Sequence, residues 1–202
     1  MGTPDFYSQF GEDRWITENL ILPRNGFFVD IGAYDGIASS NTLHFEKLGW
    51  DGFCVEAVPE LALESAQNRE CPLFCCAAAG TDSLDAFFYI HENDRGRSGL
   101  TSIGRAIKTR KRTLRELMKH FNRREIDLLS IDTEGTELDV WRGAWPYRPS
   151  VVVIEYLTWG SPPRDKEIVE SMLESGYWEV HRTEANLIMI CHSCLEKNLK
   201  GG

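Results

Sequence analysis

An apolar run that stops at an acid, turns through two glycines and leads into a helix leaves few folds open to a chain. Residues 27–36 read FFVDIGAYDG, and residues 49–60 read GWDGFCVEAVPE. The first run ends at Asp30 and turns through Gly32 and Gly36; the second ends at Glu56. In an α/β sheet this pair sets a bare backbone turn at one strand end and a carboxylate at another, the arrangement that receives an adenosine-bearing ligand. Spacing narrows the ligand. A pyrophosphate needs G-x-G-x-x-G so that backbone N–H groups can approach it. Here the pattern is D-x-G-x-x-x-G, and the carboxylate before the first glycine repels a pyrophosphate but suits a cation. These residues favour S-adenosylmethionine over a nicotinamide dinucleotide, which makes an NAD-dependent oxidoreductase a poor reading.

Strand and helix signals alternate along the rest of the chain. Strands are expected at 27–31, 52–56, 73–79, 85–90, 126–131 and 151–155. Helices are expected near 39–48, after Pro59, through Leu138 and Trp141, and over 165–175. The last two strands, YWEVHR (177–182) and NLIMIC (186–191), are separated by three residues, too few for a crossover helix, so they close as an antiparallel hairpin. The fold class expected is α/β: a doubly wound, mostly parallel sheet ending in an antiparallel hairpin. No composition shift marks a linker, so residues 1–202 are expected to form a single domain.

Charge bears on partners. Thirty-one acids against 22 bases give a net charge of −9, which argues against general nucleic-acid binding. The bases gather between residues 105 and 124, where Glu116 is the only acid. Thr113 and Glu116 form a capping-box pattern with Leu114, Leu117, Met118 and Phe121 on one helical face. This basic segment reads either as a solvated helix face or as a patch for an anionic substrate or membrane surface. The longest apolar runs have strand length and cannot span a bilayer. No secretory signal is expected at the start, which makes the cytoplasm the expected compartment and reduced thiols the expected state of the six cysteines. Cys191-His192-Ser193-Cys194 has the spacing of half a zinc site, with Cys71 and Cys75 as a conceivable other half.

Four segments, in order, carry a family likeness: SQFGED (8–13), the stretch 27–60, SGLTSI (98–103), and IDLLSIDTEGTELDVWRG (126–143) followed by VVVIEY (151–156). With these the chain resembles the FkbM-type S-adenosylmethionine-dependent methyltransferases. The resemblance implies a Rossmann-like class I methyltransferase fold and O-methyl transfer to a hydroxyl of a small metabolite or sugar, an acceptor that is anionic or carbohydrate-linked. The competing reading is a non-catalytic module that keeps the fold for binding; intact Asp30, Gly32 and Glu56 speak against it.

Carried over position by position, the resemblance implies that Asp30, Gly32, Ala33, Tyr34, Asp35 and Gly36 surround the methionine part of the cofactor, with Gly32 bare so that ligand can approach. Glu56 accepts from the ribose hydroxyls, and Ala57 and Ala78 wall the adenine. Ser40 and Asn41 either contact the cofactor or cap a helix. Gln9 and Asp13 fold over it from the N-terminal segment. Asp132, Glu134 and Glu155 stand at strand ends that border the crevice, as candidates for the general base. Alternatively Asp132 and Glu155 share a magnesium ion, since hard divalent cations prefer carboxylates. Glu137 is assigned to the start of the next helix, and His91 ranks below the acids as a base delivered by a loop.

Overall fold

The computed structural model describes residues 5–100, 104–158 and 161–194. Five parallel strands, β1 (Phe27–Ile31), β2 (Asp51–Glu56), β3 (Leu73–Cys75), β7 (Leu128–Ile131) and β8 (Val151–Glu155), and the antiparallel β9 (Tyr177–Arg182) and β10 (Asn186–Cys191) form one sheet in the order β3-β2-β1-β7-β8-β10-β9. Strands β1, β7, β8 and β10 are buried along their whole length. Successive side chains on a strand point to opposite faces, so each of these strands feeds two cores. Phe27, Val29, Ile31, Leu129, Ile131, Val152 and Ile154 pack with α4 (Leu114–Met118), α5 (Glu137–Arg142) and α6 (Asp165–Glu174). Phe28, Leu128, Val151, Val153 and Ile188 pack on the other face with α1 (Glu12–Asn19) and Phe45 of α2 (Leu43–Lys47). This is the doubly wound sheet with a closing hairpin that the alternation predicts. Strand order reverses between β1 and β7, and a crevice opens there at the carboxyl ends.

Four local expectations need correction. The run 73–79 is not one strand: it breaks at Cys76, whose N–H donates to the Glu56 carbonyl (3.1 Å), and Ala77–Ala78 (β4) leaves the main sheet. β4 joins β5 (Ser83–Ile90) and β6 (Arg105–Arg112) in a separate three-stranded sheet of order β4-β6-β5. Residues 105–112 are therefore strand, not a basic helix. Their exposed cations alternate with Ile107, which packs inward against the cluster of Ala57, Val58, Leu61, Ala77, Phe88 and Ile90. Helix α4 starts where the capping pattern says, with Thr113 Oγ1 accepting from the Glu116 N–H (3.1 Å), but the Thr113 N–H donates to Asp82 (2.8 Å). Finally, the helix expected over 39–48 shrinks to α2, because residues 37–42 form a turn on which Ser40 Oγ accepts from the Thr42 and Leu43 N–H groups (3.3 and 3.1 Å). Helix α3 (Pro59–Asn68) begins at its proline.

Candidate active site

A cavity of about 520 Å³ lies over the carboxyl ends of β1, β2, β7 and β8 and is roofed by residues 94–98 and Leu100, which lie between β5 and β6. Gly32 sits at its floor with φ 86°. A Cβ there would lie 1.7 Å from the carbonyl oxygen of Asp132, across the switch between β1 and β7. The glycine is thus demanded first by that backbone approach, a physical reason different from the open path to ligand expected for it. Among the described residues, three non-glycine residues have left-handed backbone: Tyr34 (φ 52°), Ser39 (φ 58°) and Glu134 (φ 55°). All three line the cavity. Strain of this kind persists where surrounding structure enforces it, and it concentrates at functional sites.

At the β1–β2 end the carboxylates are supplied with donors. Glu56 takes the N–H of Tyr34 on Oε2 (2.9 Å) and of Val58 on Oε1 (2.8 Å). Burial pushes its carboxyl up to about 7, against those two hydrogen bonds, which favour the charged form. Asp30 Oδ2 accepts from Thr42 Oγ1 (2.5 Å) and Ser40 Oγ (3.4 Å) and pairs with Arg69 (3.4 Å). Ala33, Ser40, Asn41, Ala57 and Ala78 line the same end, and Gln9 reaches it with Phe10 from the N-terminal segment. Asn41 is held by donating from Nδ2 to Ser130 Oγ (3.1 Å).

Other expected residues lie elsewhere. Asp35 is outside the cavity wall; its Oδ1 accepts from the Ile37 and Ala38 N–H groups (2.9 and 2.8 Å) and shapes the turn. Gly36 also stands behind the wall, packed toward Arg69. Asp13 folds the N-terminal segment on itself, accepting from the Tyr7 N–H (2.6 Å) and Ser8 Oγ (2.5 Å). His91 does not line the cavity; its N–H donates to Ser98 Oγ (3.0 Å). The motif segment 98–103 is only partly covered, because residues 101–103 lie outside the described residues.

At the β7–β8 end the acids are left to one another. Asp132 follows β7, Glu134 sits two residues on, and Glu155 ends β8; one carboxylate oxygen from each lies within 4.8 Å of the others. Asp132 lines the cavity and is exposed, and Glu134 is half-buried. Glu155 is buried, and its Oε2 has no hydrogen-bond partner. Burial and then repulsion by Asp132 push Glu134 up to about 8. Desolvation within the cavity and neighbouring carboxylates raise both Asp132 and Glu155, Glu155 the further, and the two titrate as a pair. Arg97, from the roof, also lines the cavity and partly offsets the rise at Glu134. Glu137 does what its position predicts: its Oε1 accepts from the N–H groups of Thr133 (3.2 Å) and Gly135 (2.8 Å) and closes the turn before α5.

Sequence reasoning did not anticipate the wall formed by Cys76, Phe88 and Leu100. Phe88 carries a usable signal, since it faces inward on the alternating run DAFFYI. The cysteines make no metal centre. All six are free thiols, and among the described residues the only converging group of three or more potential ligands is Asp132, Glu134 and Glu155.

The methyltransferase FkbM domain model matches residues 30–178. The chain belongs to the FkbM methyltransferase domain family. No curated protein matches it. Among solved structures it is similar to a TehB-like SAM-dependent methyltransferase from Corynebacterium glutamicum (13% identity, 91% of this chain and 88% of that one, TM-score 0.50). It is also similar to a putative caffeoyl-CoA O-methyltransferase from Staphylococcus aureus (11% identity, 89% and 80%, TM-score 0.52). At such identities the likeness is one of fold, and the fold is that of the class I methyltransferases. No helix among the described residues is long and apolar enough to cross a membrane.

Proposed function

We propose that this FkbM-family methyltransferase moves the methyl group of S-adenosylmethionine to a hydroxyl oxygen of a small acceptor. What carries the reading is the convergence of Asp132, Glu134 and Glu155 within 4.8 Å, in the same cavity as the Gly32 turn and Glu56. Glu56 accepts from the ribose hydroxyls of the donor, the alanines and Phe88 bracket its base, and Asp30 faces its cationic end. The acceptor oxygen attacks the methyl carbon in line as the carbon–sulfur bond breaks, and its proton passes to Asp132. A base whose affinity for protons lies near neutrality suits that transfer, since it is free at working pH yet still able to take a proton. The acceptor is a sugar or other polyhydroxylated metabolite, whose hydroxyls supply the donors that the trio lacks. Free thiols throughout accord with a cytoplasmic setting.

Calorimetry with S-adenosylmethionine and a screen for S-adenosylhomocysteine release on hydroxylated acceptors test this reading. Absence of donor binding by the folded protein makes it a non-catalytic module and ends the enzyme assignment.

The same convergence favours a second reading of the trio. The carboxylate oxygens of Asp132 and Glu155, with Glu134, are the ligand type a Mg²⁺ ion takes, and an ion there would lower the pKa of the acceptor hydroxyl. Titration of the protein with Mg²⁺ and treatment with EDTA decide it: unchanged turnover in EDTA removes the metal and leaves Asp132 as base.

A further inference from the structure

The second glycine of D-x-G-x-x-x-G points away from the cavity, toward an arginine that belongs to no motif. A Cβ on Gly36 would meet Arg69 Cγ and Ser65 Oγ at 2.8 Å each. Arg69 follows α3, and its side chain has no exposed surface. Its guanidinium lies over the Phe28 ring (5.3 Å) and donates to the Gly36 carbonyl (3.3 Å), Ser40 Oγ (3.3 Å), Thr42 Oγ1 (2.9 Å) and Asp30 Oδ2 (3.4 Å), while its Nε pairs with Glu46. Glu46 is itself anchored, its Oε1 accepting from the Glu70 and Cys71 N–H groups (2.6 and 3.0 Å).

Two consequences follow from counting charges and lone pairs. One guanidinium between two carboxylates leaves a net charge of −1 in a closed cluster. Glu46 is fully engaged within the protein, whereas Asp30 lines the cavity and its Oδ1 has no hydrogen-bond partner among the described residues. The residual negative charge is therefore offered to the cavity at one oxygen. Buried carboxylates hold such a charge only when partnered from behind.

We propose that Arg69 is the positioning residue of the donor site: it braces Asp30 and the turn 36–42 from behind, so that Asp30 Oδ1 meets the ammonium end of the donor. The proposal rests on the donor reading above, and the closing experiment separates the two. Donor affinity is measured by calorimetry for S-adenosylhomocysteine, which carries the amino-acid end, and for methylthioadenosine, which lacks it, on wild type, Arg69→Met and Arg69→Lys. S-adenosylhomocysteine binding falls at least about tenfold in Arg69→Met, in line with loss of a charge-assisted contact, and methylthioadenosine binding stays within about twofold, since Glu56 still holds the ribose. Arg69→Lys restores part of the loss, keeping the charge without the fork. Equal losses for both ligands, or none for either, in a variant whose circular dichroism shows it folded overturn the proposal. If Arg69→Met does not fold, Arg69→Lys is judged by the same ratio between the two ligands. A wild type that binds neither ligand ends the donor reading instead.

Discussion

Asp30 and Glu56 lie at the carboxyl ends of β1 and β2, Asp132 and Glu155 follow or end β7 and β8, and the protein treats these two pairs of carboxylates in opposite ways. The first pair is furnished with donors: two backbone N–H groups for Glu56, two hydroxyls and a buried guanidinium for Asp30. The second pair, with Glu134, receives no amide, hydroxyl or guanidinium hydrogen bond among the described residues, and its members repel one another. A carboxylate already provided with donors is a fixed grip. One without them must take its partner from a proton, a cation or a ligand, which is what reaction requires. In the proposed function the difference separates a holding end from a reacting end within one cavity.

The contrast is broken most directly at its reacting end. Asp132→Asn keeps the shape and removes the proposed base; turnover falls about 10²–10⁴-fold, the range for general-base removal, while donor affinity holds within about twofold. Steady-state kinetics beside calorimetry checks it, and unimpaired turnover would transfer the base to Glu134.

Next in size is the backbone contact that ties the two ends together. Gly32→Ala adds a left-handed alanine, costing roughly 1–2 kcal/mol on that account alone, and sets a Cβ 1.7 Å from the Asp132 carbonyl. The expected loss is roughly 3 kcal/mol or more in urea unfolding, drawn from strain at a special backbone site. A loss under about 1 kcal/mol would mean that the two turns separate freely.

The third effect sharpens the holding end through pH. Glu56 is raised from 4.5 to about 7 by burial. The folded protein thus binds this proton more tightly than the unfolded chain, so the stability contributed at Glu56 is present below 4.5 and declines as pH rises through that window. Donor binding runs the other way, because ribose hydroxyls seek the ionised form. Affinity should strengthen by up to about tenfold per pH unit until neutrality and then level off. Calorimetry across pH 5–9 shows whether it does, and Glu56→Gln should flatten the profile; an equally steep profile in that variant would place the titrating group elsewhere.

The smallest effect is expected outside both ends. Thr113→Ala removes the cap of α4 and costs about 1 kcal/mol of stability without moving donor affinity. A shift in affinity would show that α4 bears on the cavity.

Much of this was legible from the chain because acids at the ends of apolar strands must emerge at one edge of a parallel sheet. Asp30, Glu56, Asp132 and Glu155 follow from that geometry alone. Arg69 was not legible: its partners lie 23 to 39 residues away in sequence and share no pattern with it. The strand at 105–112 was hidden by its own charge, since alternation shows only when one face is apolar and Ile107 is its single large apolar residue. The adjacent capping signal at Thr113 was sound, and α4 starts where it says. The reason read for Gly32 was incomplete, because the carbonyl it makes room for is 100 residues away.

The small sheet has one more implication. Among the described residues β5 and β6 pair with each other and meet no other strand but the two-residue β4, and residues 94–98 between them line the cavity with Glu134. Lengthening such a connection costs little, since closure entropy grows only with the logarithm of loop length. Under the proposed function, substrate choice in a molecule of this build can therefore be rewritten in one hairpin, while the strands assigned to the methyl donor are inherited untouched.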